Sequence, residues 1–142
     1  MRDSGTYALV IALECGFSLR IGKLGTHSLQ PGYYVYVGSA LGGLSNRLRH
    51  HLRSEKRLHW HIDYLLQQST VVQIWYAIGS DRLECNWNVL LQNLPGAVIP
   101  IIGFGSSDCQ CSSHLTCFCV VPSPQSFKMM LGAKQISPHK LI

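Results

Sequence analysis

Acidic side chains are scarce in this chain: seven Asp and Glu stand against twelve Lys and Arg, for a formal net charge of +5 in 142 residues. Charged residues of both signs make up only 13%, against 46% hydrophobic. That balance excludes a disordered chain and predicts one compact domain with a real core. Long apolar runs are missing too. The hydrophobic stretch from Ala8 to Leu13 is closed at once by Glu14, far short of the roughly 18–20 residues that cross a bilayer. No basic leader with a small-residue cleavage site is evident, so the expected compartment is the cytosol. The six cysteines are uneven, with four between Cys109 and Cys119. With no export pattern they are read as reduced thiols or metal ligands, not as a disulfide framework.

The surplus of positive charge has an address. Tyr33 to Arg57 reads as a strand, a turn with glycines at 38, 42 and 43, and a basic helix carrying Arg47, Arg49, His50, His51, Arg53, Lys56 and Arg57. Leu44, Leu48 and Leu52 recur every fourth residue and predict the face seated on a sheet. A positive patch of this kind expects an anionic partner, most simply a phosphate backbone. A membrane surface fits poorly, because the helix presents no Trp or Phe to insert.

Before this stretch, the near-continuous apolar run after Gly5 predicts a strand buried on both faces. Phe17 to Leu24 predicts its hairpin partner, making three antiparallel strands ahead of the first helix. Beyond it, Trp60 to Gln68 predicts a second helix and Val71 to Ile78 a strand. Ser80-Asp81 then precedes a third helix that ends before Pro95-Gly96. Ala97 to Ile102 and His114 to Val121 read as extended, with a small-residue loop between. The expected fold class is α+β, a small antiparallel sheet flanked by helices over residues 1–121. Residues 122–142, with three prolines, are expected to be a loosely packed or disordered tail.

The motifs Gly5-Thr6-Tyr7 and Tyr36-Val37-Gly38, followed by a helix bearing Arg47, resemble the GIY-YIG nuclease superfamily. Together with H-W-H-I-D-Y-L-L, E-C and F-G-S-S-D-C-Q-C-S-S-H-L, they look like a branch of it found in archaea and some bacteria. The resemblance covers roughly residues 4 to 120. It implies metal-dependent hydrolysis of DNA phosphodiesters, with Tyr7, Tyr36, Arg47, His51 and Glu84 as the catalytic set. Glu84 would be the oxygen ligand of a single Mg²⁺ or Mn²⁺. The gap between Tyr7 and Tyr36 is much longer than is usual in the family, so the region between must add a strand or loop. An asparagine that some members place after the glutamate has no clear counterpart beyond Asn93.

The residue types suit that chemistry. A guanidinium such as Arg47 makes planar contact with phosphate and stays charged. Arg47 and His51 lie one helical turn apart and can face one phosphate. A phenol such as Tyr7 titrates near 10, so acting as a base it needs Arg47, a metal, or a partner such as His51 to take its proton. Arg49, Arg53, Lys56 and Arg57 read as contacts to the nucleic-acid backbone. Each has a plainer reading: core packing for the tyrosines, a solvated basic face for the helix, and for Glu84 a capping box with Asp81. Asp63 is the rival carboxylate, placed to orient a histidine. One of His59 and His61 faces the nucleic acid, or both pack.

Cys109, Cys111 and His114 are ligand types suited to a structural zinc. Their spacings match no common finger, and Cys85 would have to contribute from elsewhere, so buried reduced cysteines are the simpler expectation. Asp108 is given no catalytic role. The sequence thus expects a structure-directed DNA endonuclease of repair type. Against it stand a non-catalytic nucleic-acid-binding module, an RNA-directed protein, and a zinc-stabilised partner-binding domain.

Overall fold

A computed structural model describes residues 3–106, 109–131 and 139–140. In chain order the elements are β1 (Gly5–Leu13), β2 (Phe17–Arg20), β3 (Thr26–Leu29), β4 (Gly32–Ala40), α1 (Leu44–Leu52), α2 (His61–Leu66), β5 (Thr70–Ile78), α3 (Glu84–Gln92), β6 (Leu115–Phe118), α4 (Pro124–Leu131) and β7 (His139–Lys140). The fold is α+β, as the alternation of patterns predicts. Its main sheet is antiparallel in the order β6-β4-β1-β5-β7.

β1 lies at the centre, and every residue but Ala12 is buried. Both of its faces meet helices, which is why its apolar run does not alternate. On one face Tyr7, Leu9 and Ile11 join Tyr34, Tyr36 and Ile74 beneath Leu44 and Leu48 of α1 and Ile62 and Leu65 of α2. On the other, Ala8 and Val10 join Val35, Val37, Trp75 and Ala77 beneath Trp87 and Leu91 of α3 and Phe127 of α4. No helix among the described residues is long and apolar enough to cross a membrane.

Four expectations are corrected. β2 is not the hairpin partner of β1: it pairs with β3, Phe17 opposite Leu29, as a separate two-stranded ribbon. One face of β2 is wet, which does not suit a sheet interior covered on both sides. β1 pairs instead with β4 in unbroken register from Gly5 opposite Ala40 to Leu13 opposite Gly32. The residues between the two tyrosine motifs therefore form the tip of one long hairpin, with the β2–β3 ribbon as part of it.

The basic helix is shorter than its charge run. α1 ends at Leu52, and Arg53 turns to extended backbone, so Lys56 and Arg57 stand in the loop that follows. Leu52 is 51% exposed, while His51 is buried at 3%. Residues 44, 48 and 51 are the ones that share the buried face, because i+3 continues a stripe as well as i+4 does.

α3 begins at Glu84 with Leu83 as its N-cap and no side-chain capping bond. The Asp81–Glu84 capping box therefore does not form. Finally, the expected loose tail is structured over 124–131. Phe127 is 0% exposed, stacked on Trp75 at 5.4 Å and edge-on to Trp87 at 5.3 Å. Burying such a ring is worth about 1.5–3 kcal/mol, enough to dock a two-turn helix despite the flanking prolines. Residues 132–138, the rest of that expected tail up to β7, lie outside the described residues, as do 141, 142 and Asp108.

Candidate functional site

The β1–β4 register sets Tyr7 opposite Gly38 and Leu9 opposite Tyr36, so both motif tyrosines face the α1 side. Their ring centroids are 6.4 Å apart. Gly38 makes this approach feasible: a Cβ there would lie 2.5 Å from the Tyr7 hydroxyl oxygen, a distance no side chain tolerates. The glycine of the second motif is thus the seat of the tyrosine of the first.

α1 supplies the next layer. Nε2 of His51 lies 2.6 Å from the Tyr7 hydroxyl, and one turn earlier Arg47 holds its Cζ 4.4 Å over the Trp60 ring. Arg47 Nη1 also donates to the Ser39 carbonyl at 3.2 Å. These two contacts orient the guanidinium and leave other N–H donors for a ligand. Behind His51 stands Asp63 of α2, fully buried. Its Oδ2 accepts from the backbone N–H groups of His59 and Trp60, both at 2.8 Å. Its Oδ1 faces Nε2 of His50 at 3.3 Å and Nδ1 of His51 at 4.0 Å. Asp63 therefore does stand behind histidines, and Tyr7, His51 and Asp63 form one line through the interior.

Burial sets the protonation of that line. It pushes the phenols of Tyr7 and Tyr36 well above their usual range, while Arg47 pulls both back. Burial draws His51 down to about 3, with Asp63 opposing. His51 is accordingly neutral at pH 7. The consistent tautomer accepts the Tyr7 O–H at Nε2 and turns its Nδ1–H toward Asp63.

Tyr36, Arg47, Trp60, Arg82, Glu84 and Gly105 line a cleft of about 290 Å³. Arg47 and Trp60 come from the α1–α2 side of the sheet and Glu84 from the α3 side, so both layers meet here. Glu84 is the one carboxylate on the cleft wall among the described residues. Tyr7 is 0% exposed and lies beneath the wall, next to the lining residues Gly38 and Arg47. Gly105 completes the wall with φ +67°, where an added Cβ would also meet the Tyr36 ring at 2.9 Å. A larger cleft, of about 490 Å³, lies at the other end of β1 among Glu14, Phe17 and Gln67. It gathers none of these groups.

Of the backbone-contact candidates, Arg49, Arg53 and Arg57 are exposed but do not line this cleft, and Arg53 borders a separate hollow with Leu66, Ser69 and Thr70. Lys56 is committed elsewhere: its Nζ donates to the carbonyls of His50 and His51 at 3.2 and 2.8 Å, closing the C-terminus of α1. Asn93 caps α3 through the Val89 carbonyl. His61 is a packing residue whose Nδ1 accepts the Gly105 N–H at 2.8 Å.

A second constellation adjoins the cleft. Cys85 at the start of α3 meets Cys109, Cys111 and His114, and the four ligand atoms all lie within 4.8 Å of one another. His114 Nε2 is 3.3 Å from Cys109 Sγ and 3.9 Å from Cys85 Sγ. This is a Cys₃His cluster that could hold a metal ion, and it corrects the simpler expectation of isolated buried thiols. Asn88 Nδ2 donates to the Ser113 carbonyl and so ties α3 to the loop that carries three of the ligands. The spacing C-x-C-x₂-H hides the site because its fourth member comes from a different element. The sequence pattern also gives Trp60 and Arg82 no place in the cleft that they line. Only the basic charge of Arg82 and the aromatic beside two histidines hinted at them.

The family model described as "Domain of unknown function DUF123" matches residues 6–133. That is most of the chain, and the protein belongs to this family. No curated protein and no solved structure matches it.

Proposed function

We propose that this protein is a metal-dependent, structure-directed DNA endonuclease of the GIY-YIG type, acting in the cytoplasm on substrates of the kind met in repair. The observation that carries the reading is the 2.6 Å contact of Tyr7 with His51 beneath a cleft lined by Tyr36, Arg47 and Glu84. These five residues come from four elements and converge only in the fold.

Hydrolysis of a phosphodiester needs an in-line water, neutralisation of the non-bridging oxygens, and a proton for the leaving oxygen. Arg47 and Arg82 supply fixed positive charge on the wall. With the wall over Tyr7 opened by substrate, Tyr7 takes a proton from water as its own passes to His51 Nε2. The imidazolium so formed faces Asp63 until it gives that proton to solvent, and a cleft water protonates the leaving oxygen. The protonated Tyr36 phenol donates a hydrogen bond to a phosphate oxygen. Glu84 fits Mg²⁺ or Mn²⁺, since one hard carboxylate with the remaining positions left to water is a common way to hold such an ion. The ion would add charge neutralisation and lower the pKa of bound water. The Cys₃His cluster is assigned a structural Zn²⁺, because soft thiolates with one imidazole select zinc over magnesium.

Burial of Tyr7 and His51 favours a second reading, a nucleic-acid-binding module, for DNA or RNA, that keeps the fold without turnover. Labelled duplex, flap, splayed and branched DNA and single-stranded RNA separate the two, each with Mg²⁺, Mn²⁺ or EDTA. The nuclease reading expects cutting that disappears in EDTA and in folded Arg47→Ala and Glu84→Ala proteins. Binding without cutting on every substrate would leave the module.

A further inference from the structure

Glu84 and Cys85 are the first two residues of α3, and they serve different neighbourhoods. Glu84 lines the cleft, whereas Cys85 belongs to the Cys₃His cluster. His114 stands between them. Its Nε2 faces the thiols of Cys109 and Cys85, and its Nδ1 faces Oε2 of Glu84 at 3.8 Å. The 3.8 Å separation is longer than a hydrogen bond, but its direction matches the way proteins orient a metal-bound histidine, with one ring nitrogen toward the ion and the other toward a carboxylate.

The surroundings support a built site. Zn–S distances of about 2.3 Å place tetrahedral ligand atoms roughly 3.8 Å apart, and the observed separations, 3.3 and 3.9 Å from His114 Nε2 to two thiols and within 4.8 Å across the whole set, bracket that value. His114 is itself buried and pinned on both sides of its backbone. Its N–H donates to the Phe104 carbonyl at 2.7 Å, and its carbonyl accepts from Val37 at 3.1 Å. The ring therefore has little freedom to leave either the thiols or Glu84.

We propose that Glu84 is the carboxylate behind the zinc-ligating His114 as well as the acidic group of the cleft, so that zinc occupancy sets where this carboxylate stands. Glu84 fixes the His114 tautomer with Nδ1–H toward itself, leaving the Nε2 lone pair for the ion. In return the ion clamps His114, and with it one side of the Glu84 carboxylate, next to the cleft. The metal centre is thereby a positioning device for the cleft rather than a remote staple. This inference rests on the assignment of zinc to the cluster.

The test uses the full chain with its zinc measured by elemental analysis and by replacement with Co²⁺. One zinc per chain is expected. The Co²⁺ form should have the d–d bands of a tetrahedral site and thiolate charge-transfer bands, both lost in Cys111→Ser. Chelator competition, run without Mg²⁺ or Mn²⁺, should then find zinc held about 10–100-fold more weakly in Glu84→Gln, with a shifted Co²⁺ spectrum. Asp81→Asn, which removes a nearby exposed acid, should leave both unchanged. A chain that takes up neither zinc nor Co²⁺ overturns the zinc assignment and the inference with it. One zinc per chain bound equally tightly by Glu84→Gln, with an unshifted spectrum, overturns the inference and leaves the zinc assignment standing.

Discussion

The Tyr7 hydroxyl and Nε2 of His51 meet at 2.6 Å across 44 positions of chain. One comes from the central strand and the other from the buried face of α1. The contact is where packing and chemistry coincide, since His51 occupies a position that a leucine would otherwise fill.

Replacing Tyr7 by Phe tests that contact directly. The ring still fits over Gly38, but Nε2 of His51 loses its partner, at a cost of about 1–3 kcal/mol in unfolding free energy. The proposed nuclease activity, if Tyr7 takes part in it, should fall by about 10²–10⁴-fold, the range for losing a positioned proton acceptor. Chemical denaturation and single-turnover cleavage measure the two effects separately. Unchanged cleavage in a folded Tyr7→Phe protein would remove Tyr7 from the reaction.

His51 also predicts an acid weakness. Its pKa is near 6.5 in the unfolded chain and is drawn down to about 3 in the fold, so below pH 6.5 the unfolded chain binds the extra proton. Stability is fully present above that pH and is lost as pH falls toward 3. Between about pH 7.5 and about pH 4.5 the loss from this group is on the order of 2–3 kcal/mol. Arg47, His50 and Lys56 oppose the charging of His51 and Asp63 favours it. Urea titrations across this range should give a steep slope in the native protein and a shallower one in His51→Gln. Equal slopes would mean that His51 does not titrate as its burial implies.

The exposed arginines and the committed lysine should behave differently. Arg49→Ala and Arg53→Ala are each expected to weaken DNA binding on all sequences and to reduce the slope of log K against log salt by about 1. Lys56→Met should barely change that slope. It should instead lower stability by about 1 kcal/mol, because it removes the bonds to the last carbonyls of α1. A salt slope that responds to Lys56 as strongly as to Arg53 would return the lysine to the binding surface.

α4 makes the sharpest stability prediction. Phe127→Ala empties a site between Trp75 and Trp87 and should cost about 3–5 kcal/mol, a large share of a typical domain's total. Truncation after Val121 should do at least as much harm, measured by thermal unfolding. If the truncated chain melts at the native temperature, α4 contributes nothing to the core.

Much of this was written locally. The strand–turn–basic helix from Tyr33 onward, the doubly buried β1 and the helical pattern around Trp60 follow from side-chain periodicity and glycine placement, which act over a few residues. The same locality explains the misreadings. Leu52 fits a period of four as well as His51 fits a period of three, and only the end of α1 decides between them. Asp81 and Glu84 have capping-box spacing, yet the N-cap is Leu83, two residues beyond the Asp81 that the box requires. A proline-rich tail gives no local sign that one phenylalanine will find two tryptophans.

Local pattern was enough to place β1, β4, β5 and the starts of the first two helices, and to mark which residues have the chemistry to grip phosphate or metal, but not to reveal α4. Only the tertiary structure decided that Tyr7 lies over Gly38 and against His51, that Glu84 turns into the cleft, and that Cys85 joins Cys109, Cys111 and His114. The physical reason is that these contacts join separate elements. They depend on the register of β1 against β4 and on the docking of α3 against the stretch from Cys109 to His114. Register and docking are settled by the summed packing of two covered sheet faces, a quantity that no window of sequence contains.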